Sequence, residues 1–226
     1  YSSAASDVYK RQGRGDLTIS YAKIISALKP SWFVMENVST ITKSTKLAVA
    51  RDMFKQSGYG LTQIVLNAAL CGVPQRRKRF IMIGHLGEQD DFMLETIKSR
   101  VSNKEMTVKD YFGEHIDVEY YYRHPRSYAR RGIFSVNEPS PTIRGVNRPI
   151  PDGYKIHSND PIQSLAGVRP LTTKERSMIQ TFPENFIFVG GKSDLEQMIG
   201  NAVPVKLGEF IASAINSYIL TKQELH

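Results

Sequence analysis

The feature that most constrains this chain is a change of hydrophobic period around Pro30. Before it, Leu17, Tyr21, Ile24, Ile25 and Leu28 recur at helical spacing behind Asp16, a good N-cap, and Pro30 ends the pattern. After it, Trp32-Phe33-Val34-Met35 is a short bounded apolar run, as in a buried strand. A second helix is expected over residues 47–57, closed by Gly58, then a β-rich segment over 61–66 and a strand over 80–83 ending at Gly84. Helix, strand, helix, strand, strand is an α/β order.

Between about residues 85 and 138 the periodicity weakens. There Tyr120-Tyr121-Tyr122, Tyr128 and Phe134 are interspersed with Arg123, Arg126, Arg130 and Arg131, and the segment reads as a separate small lobe. Pro and Gly cluster over 139–161, marking loops. Order returns with two capping-box patterns, Thr172 with Glu175 and Ser193 with Glu196, each expected to open a helix. The last helix starts near Val205. Its stripe of Leu207, Phe210, Ile211, Ala214, Ile215 and Tyr218 needs a surface to bury it.

A chain of 226 residues can bury a full core as one domain, or as one domain with a small appendage. No apolar run is expected to reach the roughly 20 residues of a membrane helix, and the start lacks a signal-peptide pattern. The single Cys71 excludes an intrachain disulfide and fits a reducing compartment. A net charge of +8 favours an anionic partner, nucleic acid or membrane surface alike. Residues 1–12 resemble nothing downstream. They read as a non-native leader from cloning or assembly, or as a frayed natural terminus.

Three short motifs carry chemistry. Glu36-Asn37-Val38 follows the first strand, and ligands in open α/β sheets bind beyond the carboxyl ends of strands. An isolated Glu there is more often a solvated cap. Gln75-Arg76-Arg77-Lys78-Arg79 puts four positive charges before a strand, more often a solvated basic edge. If extended, it sends Gln75, Arg77 and Arg79 to one face and Arg76 and Lys78 to the other. Gly200-Asn201-Ala202-Val203-Pro204 precedes the last helix, where Gly-Asn alone means only a turn and cap.

In this order and with these flanks, the three motifs resemble the C-terminal part of the DNA cytosine-5 methyltransferases. The resemblance covers residues 13–219. It implies a partial Rossmann-like methyltransferase sheet in residues 13–84 and 166–226, with a small, β-rich or irregular target-recognition lobe and loops over 85–165. By the same resemblance Glu36 is catalytic, contacting the ring nitrogen and exocyclic amine of a flipped cytosine, and Asn37 positions its loop as a DNA contact. Arg79, with Arg77 beside it, would contact the base and its phosphate, with Gln75 as a further DNA contact. Asn201 and Val203 would line the S-adenosylmethionine pocket; Ala202 stands where many members have Ser. Arg123, Arg126, Arg130, Arg131 and Arg144 would bind DNA from the recognition lobe, which Pro141-Thr142-Ile143-Arg144 resembles in closing. Arg can contact phosphates or guanine edges, and Tyr or Phe can stack on unpaired bases. No metal is implied.

In complete members a thiolate adds to C6 of the extruded cytosine, C5 takes the methyl group from S-adenosylmethionine, and loss of the C5 proton frees the enzyme. The thiol belongs to a Pro-Cys-Gln loop before the Glu-Asn-Val motif. Neither that loop nor the Gly-rich cofactor loop occurs in these 226 residues. Cys71 lies after the motif and reads as a small buried turn residue. Arg14-Gly15-Asp16, an adhesion-like tripeptide, is given no weight. The expectation is a truncated methyltransferase, inactive alone; the alternatives are a non-catalytic DNA-binding module or one chain of a split enzyme. Expected partners are double-stranded DNA and a missing N-terminal half, with no membrane, in the cytoplasm of a bacterium or its phage. No residue points to a companion restriction enzyme.

Overall fold

The first helix ends where Pro30 predicts. In the computed structural model, which describes residues 17–224 except 128, α1 (Leu17–Leu28) closes with the Lys29 amide donating to the Ile25 carbonyl at 2.9 Å. Lys29 takes a left-handed φ of 47°, unusual for a residue with a side chain. The Asp16 cap, the adjoining tripeptide, the leader over 1–12 and Tyr128 lie outside the described residues. The buried face of α1 keeps only Tyr21 and Ile25 of the predicted stripe. Thr18, Ala22 and Ile25 are buried, whereas Leu17, Ile24 and Leu28 are exposed.

The described residues fall into two units. The first holds residues up to Leu66 with Lys78–Ser99, and the second Asn67–Arg77 with residues from Arg100 onward. In the first unit β1 (Trp32–Val38) is followed by a 3₁₀ turn (Ser39–Lys43), α2 (Thr45–Gln56) and β2 (Tyr59–Asn67). Ser44 caps α2 by accepting from the Lys46 amide at 3.2 Å, and Gly58 continues past its end at φ 94°. After the short β3 (Gln75–Arg76), β4 (Lys78–Leu86) returns to this sheet, whose order is β1-β4-β2. Antiparallel pairing sets Phe33 opposite Gly84, Glu36 opposite Ile81 and Val38 opposite Arg79.

That pairing corrects two expected boundaries. The first strand runs through the Glu-Asn-Val motif to Val38, so Glu36 lies two residues inside it. The later strand passes through Gly84 instead of ending there, because the Phe33 ring lies where a Cβ at Gly84 would go. Phe33 also packs on Phe54 and Tyr59, at centroid distances of 4.5 and 5.0 Å, and Tyr21 meets both Phe33 and Phe54 edge-on. These rings, with Met35, Leu47, Phe80 and Met82, form the core of the unit. The chain then adds α3 (Leu94–Lys98), whose Ile97 is fully buried.

The second unit contains a 3₁₀ turn (Ala68–Leu70), β3, α4 (Val108–Phe112) and a 3₁₀ turn (Gly113–His115). Then come β5 (Tyr120–Tyr122), β6 (Ile133–Ser135), β7 (Ser140–Pro141) and β8 (Arg169–Pro170). The strands make a three-stranded sheet, β6-β5-β8, and a β3-β7 pair. Helices α5 (Thr173–Ile179), α6 (Lys192–Asn201) and α7 (Val205–Glu224) complete it. The described residues beyond 166 cluster with Asn67–Arg77 and the segment from Arg100, to which buried polar side chains such as Gln180 and Arg176 tie them.

The Thr172–Glu175 capping box forms as predicted, and Glu175 also pairs with Arg169 at 2.7 Å. The Ser193–Glu196 box does not form. Helix α6 starts at Lys192, the Gly191 amide donates to Asp194 at 3.2 Å, and Glu196 is buried in an ion pair with Arg176. Of the α7 stripe, Leu207, Ile211 and Ala214 are buried and Phe210, Ile215 and Tyr218 are half-buried. One helical stretch, Lys192–Glu224, is long and apolar enough by length and composition to cross a membrane, which the sequence was not expected to supply. Pro204 interrupts it, and α7 buries one stripe as a core helix does.

Candidate active site and nucleic-acid interface

Glu36 and Arg79 meet on one face of the β1-β4 pair. Glu36 opposes Ile81 and Arg79 opposes Val38, so the two side chains are diagonal neighbours pointing the same way. The Arg79 Nε lies 2.7 Å from Glu36 Oε1, with the two side chains 14% and 28% exposed. Burial lowers the Arg79 pKa, and the Glu36 charge and hydrogen bond act in the opposite direction. The guanidinium also donates from Nη1 to the Lys78 carbonyl at 2.9 Å, which fixes its plane. A carboxylate oriented this way, partly open to solvent, can accept from an exocyclic amine or, once protonated, donate to a ring nitrogen. Asn37 lies in the strand next to it, its side-chain oxygen accepting from the Val38 amide at 2.8 Å.

The predicted alternation of the basic run is realised: Gln75 and Arg77 are buried, Arg79 is half-buried, and Arg76 and Lys78 are exposed. Its consequence differs from the expectation for two of the three residues. Gln75 donates to Gln180 Oε1 at 2.8 Å and accepts from the Ile143 amide at 2.9 Å. Arg77 donates to the carbonyls of Ile143 and Gly200 at 3.1 Å and of Ala202 at 3.0 Å. Both side chains are spent inside the protein, so neither presents a surface to DNA here. They clasp the 143–144 segment and the end of α6, whereas Arg76 bridges outward to Glu105 at 2.6 Å.

This clasp positions the Gly-Asn motif. Gly200 and Asn201 are the last residues of α6, not a free turn, and Ala202 is the C-cap. A Cβ on Gly200 would collide with the backbone of Arg144 and Gly145, so only glycine permits that approach. Asn201 and Val203, on either side of the Ala202 C-cap, are both exposed and offer an amide and an apolar side chain. Those groups suit one part of a cofactor such as S-adenosylmethionine.

In the second unit a cleft of about 640 Å³ gathers six arginines. Four have partners. Arg76 pairs with Glu105, Arg131 with Glu138, Arg123 donates to the Thr142 carbonyl at 2.8 Å, and Arg144 donates to the His124 carbonyl. Arg131 also lies over the Phe134 ring at 4.3 Å. Arg126 and Arg130 are exposed, and among the described residues neither has an acidic partner. Burial pushes Arg123 down to about 10, with Arg144 adding to the effect. A cluster with so few acids attracts anions.

The aromatic residues are corrected. Tyr121 and Tyr122 are core side chains, and Phe134 is buried against Tyr121, so they are not free to stack on bases. Cys71 is a buried turn residue as expected, its thiol pushed up to about 12 by burial. The loop residues His157 and Asn159, which also line the cleft, were missed; their only sequence signal was a polar stretch within the Pro- and Gly-rich segment.

The C-5 cytosine-specific DNA methylase family matches residues 1–217. Among curated relatives, the type II methyltransferase M.HindV of Haemophilus influenzae is 58% identical over 207 residues, covering 91% of this chain and 68% of that protein. M.HgiDI of Herpetosiphon aurantiacus is 54% identical, covering 92% and 67%. The chain thus spans about two thirds of the length of these relatives. Among solved structures, a putative DNA modification methyltransferase encoded within a prophage of E. coli superposes with a TM-score of 0.62 at 19% identity, over 92% of this chain and 75% of that one. S. pombe Dnmt2 gives 0.55 at 16% identity, over 81% and 66%. These two likenesses carry the mixed α/β fold.

Proposed function

This chain belongs to the C-5 cytosine-specific DNA methylase family, and from that premise we propose that it is the base-holding and DNA-reading part of a cytosine-5 methyltransferase. S-adenosylmethionine supplies the methyl group in this reaction. The chain's own part is to hold the cytosine in double-stranded DNA, in the cytoplasm. Glu36 accepts the exocyclic amine hydrogen of the extruded base and, when protonated, donates to the ring nitrogen, which draws electrons from C6 and favours attack there. Arg79 fixes the carboxylate and supplies positive charge beside the ring. Asn201 and Val203 contact the cofactor. Arg126 and Arg130 hold DNA phosphates.

The observation that carries this reading is the 2.7 Å Glu36–Arg79 pair, partly open to solvent on the β1-β4 face. The 226 residues alone do not methylate DNA at a useful rate, because the only thiol is the buried Cys71. The test supplies a polypeptide carrying the Pro-Cys-Gln loop of the family and compares the wild-type chain with Glu36→Ala in methyl transfer. A loss of about 10² to 10⁴-fold is expected for one positioned acid–base group. Equal rates would remove Glu36 from the reaction.

A second reading, a DNA-binding module without catalysis, is favoured by the arginine cleft alone. Salt-sensitive DNA binding with no methyl transfer even after complementation would support it.

A further inference from the structure

The loop before β8 is held more tightly than a connection requires. Asp160 is buried, and both its oxygens are saturated by four donors. Oδ1 accepts from the amides of Gly132 at 3.0 Å and Ile133 at 2.9 Å, and Oδ2 from the Tyr154 hydroxyl at 2.7 Å and the His157 amide at 2.8 Å. The Tyr154 hydroxyl also accepts from the Gly132 amide at 3.0 Å. A Cβ on Gly132 would crowd that hydroxyl and the Tyr122 ring. One carboxylate therefore ties the 154–160 loop to the start of β6, the strand whose Phe134 floors the arginine cleft.

What this fixture presents is polar and outward. His157 and Asn159 line the cleft. The Asn159 amide N–H donates to His157 Nδ1 at 3.0 Å, which makes Nδ1 the acceptor and leaves the hydrogen on Nε2. Among the described residues the Asn159 side-chain amide has no partner. So a donor, Nε2–H, and a donor–acceptor pair, the Asn159 side-chain amide, project from a held backbone into the cleft that the exposed Arg126 and Arg130 also line. Such groups match base edges: an Asn amide pairs bidentately with adenine N6 and N7, and a single N–H donor matches guanine N7 or O6. A loop backbone fixed beforehand in this way loses little entropy on binding.

We infer that the Asp160-stapled loop is a sequence-reading element, in which Asn159 and His157 contact base edges of DNA whose phosphates Arg126 and Arg130 hold. The inference rests on the DNA-binding reading above. Division of labour follows: the loop sets which sequence is bound, and the two arginines set how strongly any sequence is bound. Asp160 is a positioning residue, acting through the loop it holds.

The test selects binding sites from a randomised duplex library with the 226-residue chain and with the Asn159→Ala, His157→Ala, Asp160→Asn and Arg126→Ala variants. Asn159 is exposed and its substitution removes no side-chain hydrogen bond among the described residues, whereas His157 is half-buried and its substitution also removes the acceptor of the Asn159 backbone amide. Asn159→Ala is expected to relax preference at one base pair by about tenfold or more, with the salt dependence of binding unchanged. Arg126→Ala is expected to weaken binding across all sequences and to flatten the slope of log affinity against log salt by about one. Asp160→Asn should relax the same positions as both loop variants together. If the wild-type chain selects a sequence and neither loop substitution changes it, the inference is overturned while the DNA-binding reading stands. If the wild-type chain binds no DNA, both fall.

Discussion

Arg77→Met removes a guanidinium that donates to three carbonyl oxygens and leaves a side chain of similar reach in its place. The Ala202 carbonyl keeps a second donor, Gln180 Nε2 at 3.3 Å, so the loss falls mainly on the carbonyls of Ile143 and Gly200. A buried acceptor deprived of its partner costs about 1–3 kcal/mol, so two give roughly 3 kcal/mol once the apolar replacement has packed. Urea unfolding should then show a midpoint lower by about 1 M, at a slope of 2–3 kcal/mol per M. The slope of DNA affinity against salt should not change, because the guanidinium reaches no phosphate. A stability loss below about 0.5 kcal/mol together with a flatter salt slope would refute the clasp, and would return Arg77 to the DNA-contacting role that the family resemblance implies.

Arg79→Met leaves Glu36 without its holder, and methyl transfer by the complemented enzyme should fall by about ten- to a hundredfold, or 1.4–2.7 kcal/mol of barrier. With the Cys71 thiol at about 12, roughly one molecule in 10⁴ carries the thiolate at pH 8, so iodoacetamide should label it only after unfolding, and Cys71→Ser should leave binding unchanged. Gly200→Ala should lower the unfolding midpoint, since its Cβ meets backbone and not a movable side chain. For Asp160, burial pushes the carboxyl up, but the hydrogen bonds from Tyr154, Ile133, His157 and Gly132 outweigh it and hold it below the usual range. Its contribution is therefore complete above the unfolded value of about 4 and lost as pH falls through the lower folded value, so the protection of the Ile133 and His157 amides, taken relative to the intrinsic exchange rate at each pH, should fall on acidification in that window and stay constant between pH 6 and 8.

Local pattern was a good guide wherever the deciding partner lay nearby in sequence. The Thr172–Glu175 box spans one helical turn, and the alternation from Gln75 to Arg79 is a property of extended backbone, so both were legible. The ends of β1 and β4 were not, because each strand continues as long as the other pairs with it. Gly84 read as a stop until the Phe33 ring, across the sheet, accounted for it. The family resemblance assigns Arg77 to DNA, and its carbonyl acceptors, 66 to 125 residues away, leave no mark in the local pattern. Ser193 and Glu196 had the spacing of a capping box, yet Glu196 was taken by Arg176 in the interior. The exposed Leu17, Ile24 and Leu28 show the same limit: period identifies a helix, but its neighbours decide which side is buried.

The proposed function has this chain hold the base and the DNA for a cytosine-5 methyl transfer, with no competent nucleophile in its single, buried Cys71. It is tested most directly by transfer of labelled methyl from S-adenosylmethionine to duplex DNA. The 226-residue chain is assayed alone and then with a polypeptide carrying the Pro-Cys-Gln and Gly-rich cofactor loops of the family. No transfer is expected from the chain alone, and 5-methylcytosine is expected in the product after complementation. Methylation by the chain alone, or none by the complemented pair although it binds DNA, would contradict it.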